Sequence, residues 1–489
     1  MTVFVPRALS WLSAVPLAAA VLAGVPVTPS AAGGRAVLAG RAAVPAAGSW
    51  GKAIGVPGLT ALNTRGGARV VSVSCASAAN CAAVGHYTDR HGQQGFAAVE
   101  AHGHWRTATA IPGLAALNAG GGADVVSVSC GSAGNCAAGG FYSYDVAFFR
   151  VSAFVATERG GRWGKAVALK TGDGEVDSVS CASAGYCLAG GDKGADYTSN
   201  HNAFFVEERA GRWGSLSPVP GLRTLRHVDS WISSVSCASA GNCAVGGGYD
   251  AKSGGQQAFV AIEQDGVWGQ ATELPGLAAL NAGGVANVVS MSCGSAGSCA
   301  AGGYYVDGDG HYQGFVASED DGTWGTAIEV PGLAALNTGE RAGVNALSCG
   351  SAGSCTAGGA YTGVDGHQRA CVAVEQSGAW GTAIRVPGLA ALNKKGENTQ
   401  VLTVSCASAG SCAVGGFYFD HSGHRQGFVA SERLGAWGRA LEVPGLPALN
   451  TRGPGAVVSV SCTSARSCAA GGYYTDGSGH HQGFVTRPG

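Results

Sequence analysis

This chain has little charge: only 12% of its 489 residues are Asp, Glu, Lys or Arg, and the formal net charge is −1. So sparse and balanced a charge leaves no electrostatic footprint for nucleic acid or an anionic membrane. Beyond residue 32 no segment approaches the ~18 uninterrupted apolar residues of a membrane-spanning helix. A Gly-x-Ser-x-Gly elbow is missing, and no Ser/His/Asp set stands out, so the simplest nucleophilic hydrolase is not written here. No cofactor motif is present and none is expected.

Glycine and cysteine, by contrast, are plentiful, with 83 and 17 residues. Glycine has no collagen period and falls at turn positions between short strands, as in an all-β chain. The cysteines form eight Cys-x5-Cys pairs plus Cys371. First cysteines stand at Cys75, Cys130, Cys181, Cys237, Cys293, Cys349, Cys406 and Cys462, in steps of 55, 51, 56, 56, 56, 57 and 56. Trp50, Trp105, Trp163, Trp213, Trp268, Trp324, Trp380 and Trp437 keep the same beat; Trp11 and Trp231 do not. A unit of this size cannot bury its apolar faces alone, so neighbouring copies must stack. The array overrides the prior of about three domains that length alone would set.

Each copy parses into four short strands: a (Val70–Ser74), b (Ala82–Tyr87), c (Phe96–Glu100) and d, from Trp105 to Ile111. Alternation in Val-Ser-Val-Ser suits a pleated sheet, and four antiparallel strands per repeat is the plan of a propeller blade. The last copy stops at Gly483-Phe484-Val485-Thr486 without its Trp strand, while Trp50–Pro57 supplies one at the other terminus. Pairing the two completes blade eight and removes exposed sheet edges. The expected fold is an all-β, eight-bladed propeller over residues 49–489; two packed smaller propellers or a β-solenoid are the alternatives.

Residues 1–32 read as a secretory signal: Arg7 opens it, Ala8–Val27 is mostly apolar, and Ser30-Ala31-Ala32 offers small residues for cleavage. Residues 33–48 read as a disordered leader. Export to an oxidising compartment makes each pair a hairpin disulfide: Cys75 with Cys81, Cys130 with Cys136, Cys181 with Cys187, Cys237 with Cys243, Cys293 with Cys299, Cys349 with Cys355, Cys406 with Cys412, and Cys462 with Cys468. Zinc would want tighter spacing and further ligands nearby. Cys371 takes the place of Phe96 and its counterparts, as a buried thiol in an aromatic slot or as a reactive one.

Ser318-Glu319-Asp320-Asp321-Gly322-Thr323-Trp324 resembles the Asp-box turn of sialidase-type propellers, although other copies keep only Gly-x-Trp and the spacing is one residue short. The Ser-Val-Ser-Cys-x5-Cys-Ala-x-x-Gly copies are similar to exported bacterial β-propeller repeat proteins. That resemblance spans residues 50–489 and implies a fold without an activity. A sialidase would need clustered inward arginines, which the repeats do not supply at matched positions. The adjacent cysteine pair of eight-bladed quinoprotein dehydrogenases is also missing.

Strand direction puts the b–c loops and d–a connections on one face and the cysteine turns on the other. The b–c loops hold most of the chain's chemistry, and the ligand-binding candidates there are Tyr305, Asp307, Asp309, His311, Asp420, His424, Asp476 and His480. Aromatic, carboxylate and imidazole groups on one rim could hold a sugar, while Asp-Gly and Ser-Gly are also ordinary turn residues. Asp307-Gly308-Asp309 lacks the EF-hand pattern, so no metal site is assigned. Blades two to four depart from the pattern, and the connection into blade four adds Arg226, His227, Asp229 and Trp231 as an asymmetric candidate. The Asn of each Pro-Gly-Leu-Ala-Ala-Leu-Asn connection is expected to cap a local turn. A Glu closing strand c (Glu100, Glu158, Glu207, Glu263, Glu319, Glu375, Glu432) reads as structural because it repeats. The expectation is a secreted, monomeric binding or adhesion module for a glycan or protein at the b–c face. A polysaccharide hydrolase or lyase and a purely structural envelope protein are the alternatives.

Overall fold

A computed structural model describes residues 50–145, 150–194, 201–225, 227–394 and 396–486, with the side chain of His227 excepted. The expected signal segment (1–32), the leader (33–48) and Arg226 lie outside the described residues.

Eight antiparallel sheets follow one another, each ordered a-b-c-d. In blade one, strand a is Arg69–Ser77, b is Asn80–Asp89 and c is Gly92–Ala101. Every strand a packs against the strand a of the next blade, and the eighth against the first, so the sheets form a ring with a at its centre. Closure occurs where expected: Ile54 pairs with Val485 and Gly55 with Phe484. The domain is thus an eight-bladed β-propeller.

Strand d differs from the expected single run. It is two short pieces, His104–Trp105 and Thr109–Ala110, both paired with strand c. Between them the Ala108 N–H donates to the Pro57 carbonyl at 2.7 Å, leaving its own sheet to hook the connection of the preceding blade. The same Ala-to-Pro bond joins Ala166 to Pro112, Ala327 to Pro275 and Ala53 to Pro444. The break exchanges ladder bonds for bonds between blades.

Strand a has no partner on its channel side, so its backbone N–H groups need acceptors. Serine hydroxyls from the preceding blade supply them. Val128 and Cys130 donate to Ser72 and Ser74 at 3.2 and 3.0 Å. Val73 and Cys75 donate to Ser459 and Ser461 at 2.9 Å, closing the ring. Both serines of Val-Ser-x-Ser-Cys are therefore acceptors for a neighbouring edge. Blade six carries Ala346 and Ser348, and only Cys406 finds its hydroxyl.

A bulge lies in every strand a; in blade one it falls between Val70 and Ser72. It puts Val70 and Val73 on the same face, where both would touch a Cβ added at Gly471 of blade eight. The simple two-residue alternation fails at this point. Opposite the bulge stands a glycine, the second of Gly-Gly in seven blades and Gly85 after Val84 in blade one; a Cβ at Gly85 would sit 2.1 Å from the Arg69 carbonyl. Each c–d turn has two consecutive residues at positive φ, as at His102 (53°) and Gly103 (78°), the type I′ geometry that matches strand twist. Leu434 occupies that left-handed position at φ 51° while 94% exposed.

The remaining repeated residues tie blades together. Leu114, at the head of the one-turn helix Leu114–Leu117, is buried with Val84, Ala97, Val125 and Phe154 from blades one and two. Asn118 reaches back to the Gln93 carbonyl (2.8 Å) and to Gln94 Oε1 (3.2 Å) of blade one. It also accepts from the N–H of Gly122 (2.9 Å), so the expected local cap is half of a clamp between blades. Asn63, Asn281, Asn337 and Asn450 donate the same two hydrogen bonds from Nδ2. The indole N–H of Trp213 and Trp380 donates to Thr157 and Ser318 of the previous blade. Where that acceptor position holds Val99, Ile262 or Val374, the indoles of Trp163, Trp324 and Trp437 have none. All eight cysteine pairs form disulfides within their own blade, with Cα atoms 3.8 Å apart in Cys293–Cys299 and 4.0 Å in Cys75–Cys81. Closing loops so short stabilises by about 2 kcal/mol each. Cys371 is the free thiol, buried in its Phe slot opposite Gly359 and pushed up to about 12 by burial.

Two outcomes follow for stability. Ser74→Ala should cost about 1–3 kcal/mol by orphaning the Cys130 N–H, and Ala346→Ser should return about 1 kcal/mol by giving Val404 its acceptor; urea unfolding of both variants checks this. Leu434→Asn should stabilise by about 0.5–1 kcal/mol, because it relieves left-handed strain at a site with no packing to lose. An unchanged or lower unfolding midpoint for that variant would contradict the turn geometry.

Candidate functional site

The bulge does more than align core valines: it marks where strand a leaves the uniform core for the channel mouth on the b–c face. One step inside it, Val70, Val125, Val176, Ile232, Val288, Val344, Val401 and Val457 each face a glycine. One step outside, the pairs are Arg69–His86, Asp124–Phe141, Glu175–Asp192, Trp231–Gly248, Asn287–Tyr304, Gly343–Ala360, Gln400–Phe417 and Ala456–Tyr473. No two of these pairs are alike. The strand-a member leans on the strand-b member of the preceding blade, as Arg69 does on Tyr473 (4.4 Å) and Asp124 on His86 (2.9 Å).

The mouth has two electrostatic poles. At the acidic one, carboxylate oxygens of Glu175, Asp177 and Asp192 in blade three lie within 4.8 Å of one another, with Glu175 and Asp192 buried. His201 Nδ1 hydrogen-bonds Asp192, and the His201 backbone N–H donates to Asp229 at 2.7 Å. At the opposite pole, Arg425 lies 4.9 Å from the Phe417 ring and 5.5 Å from Tyr473, and the His481 ring tilts against Tyr473 at 5.9 Å. Burial pushes the Arg425 guanidinium down to about 10, with the charge of Arg69 adding to the effect. Burial also lowers Arg69, against a pull from Asp124. His481 is held below its ordinary value first by burial, then by Arg69, Arg425 and His86, so its imidazole is neutral at pH 7. Arg425 Nε and His481 Nδ1 are buried without a hydrogen-bond partner.

Of the residues singled out from sequence, Trp231 is a member of this ring; its indole lies where a Cβ at Gly248 would fall, 2.5 Å from Cζ2. Asp229 belongs to the acidic pole through His201. His227 begins strand a of blade four, and Arg226 lies outside the described residues. The rim candidates are placed differently. Asp307 accepts from the N–H of Asp309 (3.0 Å), the N–H of His311 (2.9 Å) and Gln313 Nε2 (3.2 Å). Asp420 and Asp476 do the same, each taking two loop N–H groups, one from His424 or His480, and a strand-c glutamine. Although partial burial pushes the other way, these bonds hold all three carboxyls below their ordinary value. Each is occupied in shaping its own hairpin. Tyr305 is 2% exposed and donates its hydroxyl to Glu329 at 3.0 Å, so it offers no face to a ligand.

Sequence reasoning missed Arg69, Arg425, His481, Tyr473, Glu175 and Asp192. For Asp192 and Tyr473 the available signal was the residue after Gly-Gly (Val-Gly in blade one), which reads His, Phe, Asp, Gly, Tyr, Ala, Phe and Tyr along the eight copies.

A second concentration of chemistry lies on the disulfide face. The strand-c glutamates Glu100, Glu158, Glu208, Glu263, Glu319, Glu375 and Glu432 are all buried, each two residues or fewer from the c–d turn. In blade three the ladder residue is Glu208 and not Glu207, since Glu208 pairs with Trp213 as Glu100 does with Trp105. Between blades two and three a cleft of about 260 Å³ is lined by Glu158, Arg159, Glu208 and both disulfide rims. Glu158 is fully buried with both oxygens unbonded; burial pushes its carboxyl up to about 7, against a pull from Arg106.

No protein-family model matches this chain, and no curated protein sequence matches it. Several solved structures are similar to it at low identity. Sqt1 from Chaetomium thermophilum is 11% identical, with 86% of this chain and 95% of that one covered and a TM-score of 0.48. A GH74 xyloglucanase from Xanthomonas campestris is 13% identical over 81% of this chain and 56% of that one, TM-score 0.47. The Hadza microbial sialidase Hz136 is 10% identical over 69% of this chain and 73% of that one, TM-score 0.34. Likeness at this level carries no activity across.

Glu158 has a pH signature. Its folded form keeps a proton up to about pH 7, whereas the unfolded chain releases it near 4.5. The native state therefore binds more protons within that window, and stability falls as pH rises through it. Glu158→Gln should match wild type near pH 4 and exceed it by up to roughly 3 kcal/mol at pH 8, measured by urea unfolding at both pH values. A variant less stable than wild type at pH 8 would reject a neutral buried carboxyl.

Proposed function

We propose that this protein is an exported binding module whose ligand is a glycan held across the channel mouth on the b–c face. One observation carries the reading: the scaffold repeats one pattern of residue types as far as the bulge, then presents eight different side-chain pairs in a ring. The ring offers amides at Gln256, Asn287, Gln368 and Gln400, and aromatic edges at Trp231, Tyr304, Tyr312 and Phe417. Aromatic edges and convergent amides are what sugar rings and hydroxyls require. Export is supported by the eight disulfides, which persist in oxidising compartments. Among the described residues no helix is long and apolar enough to cross a membrane.

Glycan-array binding of the purified protein tests this, with Trp231→Ala and Tyr312→Ala expected to weaken the best ligand by roughly ten-fold each. Arg466→Gln, exposed on the disulfide face, should leave binding unchanged. If both mouth variants bind like wild type, the ligand surface is elsewhere.

A second reading, a polysaccharide hydrolase, draws on the Glu175, Asp177 and Asp192 oxygens within 4.8 Å, close to the spacing of about 5 Å used by retaining glycosidases. Burial of two of the three and the engagement of Asp192 by His201 speak for the binding module. New reducing ends released from a polysaccharide panel by wild type, and lost in Asp192→Asn, would reverse that preference.

A further inference from the structure

The basic pole of the mouth is electrostatically incomplete. Arg69, Arg425 and His481 come from blades one, seven and eight, so only ring closure brings them together. Two guanidiniums lie against the one ring of Tyr473, at 4.4 and 5.5 Å from its centroid. Neither takes part in any of the described ion pairs, although His86, the neighbour of Arg69 in blade one, takes Asp124 of blade two. Ring faces offset part of the cost of two half-buried like charges, but they satisfy no N–H. The buried Nε of Arg425 has no acceptor, and the buried Nδ1 of His481 has no hydrogen-bond partner. Guanidinium forks match the paired oxygens of a carboxylate or sulfate.

We propose that the niche of Arg69, Arg425 and His481 around the Tyr473 ring binds the anionic group, carboxylate or sulfate, of an acidic sugar lying across the channel mouth. The inference rests on the glycan reading above and narrows it to acidic saccharides. The acidic pole on the far side, Glu175 and Asp177, repels a second anionic group placed there and so sets the direction in which the chain lies. Tyr473 and Phe417 hold the guanidiniums in place and wall the niche.

Calorimetric titration of the purified protein with tetragalacturonate, a carrageenan tetrasaccharide, cellotetraose and hexaglutamate tests the proposal. The expected result is that at least one acidic saccharide binds ten-fold or more tighter than cellotetraose, with the carboxylate and sulfate probes separating the two anions. Arg69→Gln and Arg425→Gln should each weaken that saccharide by about ten-fold or more, with cellotetraose affinity unchanged and Arg466→Gln neutral throughout. Should a variant fail to fold, wild type alone decides: affinity for the acidic saccharide, and not for cellotetraose, should fall between about 0.05 and 0.5 M NaCl. Equal affinity for acidic and neutral saccharides would overturn this inference and leave the glycan reading standing. Hexaglutamate binding as tightly as the acidic sugars would overturn the saccharide assignment in favour of an acidic peptide, and binding of none of the four would overturn both readings.

Discussion

The innermost strand of every blade has a bare edge, and the hydroxyls of the preceding blade cover it. That contact, a backbone N–H of one strand a to a serine oxygen of the one before, is the constraint from which the rest follows. An orphaned edge would cost desolvation at each N–H and would invite pairing with another chain. Because each blade supplies acceptors to the next and takes donors from it, the bonding has direction and is satisfied everywhere only in a closed ring. Ala-to-Pro hooks, Asn clamps and Trp indoles repeat the device farther out, so every layer from channel to rim is tied to its neighbour. The disulfides are different in kind: they fasten each a–b hairpin to itself and join no two blades.

A scaffold held this way needs the same residues in every blade wherever blades touch, and it releases them where they do not. The bulge marks the border. Inside it, a branched aliphatic faces a glycine whose missing Cβ admits a carbonyl. Outside it, the strand ends are bound by no such contact and can carry Arg, Asp, Trp or Gly. Compensation is local: Gly248 is small because the Trp231 indole lies over it. Differences in charge between blades then set an acidic pole in blade three across the channel from a basic one that blades one, seven and eight build together.

Much of the architecture was legible beforehand because it recurs. Eight cysteine pairs, eight tryptophans and one displaced strand were enough for blade number, disulfide pairing and closure, all governed by pairings that act within a repeat or between adjacent ones. The misreadings share a cause. Strand d looked continuous because its Ala-to-Pro bond leaves the blade, and Asn118 looked like a turn cap because its second partner, Gln94, is 24 residues away. Glu207 was taken for the ladder residue in Phe204-Phe205-Val206-Glu207-Glu208 because composition cannot show register; pairing of Glu208 with Trp213 does. On the rim, the oxygens of Asp307, Asp420 and Asp476 go to loop N–H groups and to a strand-c glutamine, bonds that only the folded hairpins show.

From its amino acids alone this chain declares a disulfide-pinned ring of eight blades, because periodic patterning and cysteine spacing act over distances that a reader of the sequence can count. The mouth needed three dimensions. Arg69 and Arg425 are 356 positions apart in the chain, and only closure of the ring sets them over one tyrosine. Their burial and their mutual repulsion arise from that proximity, which linear order does not record.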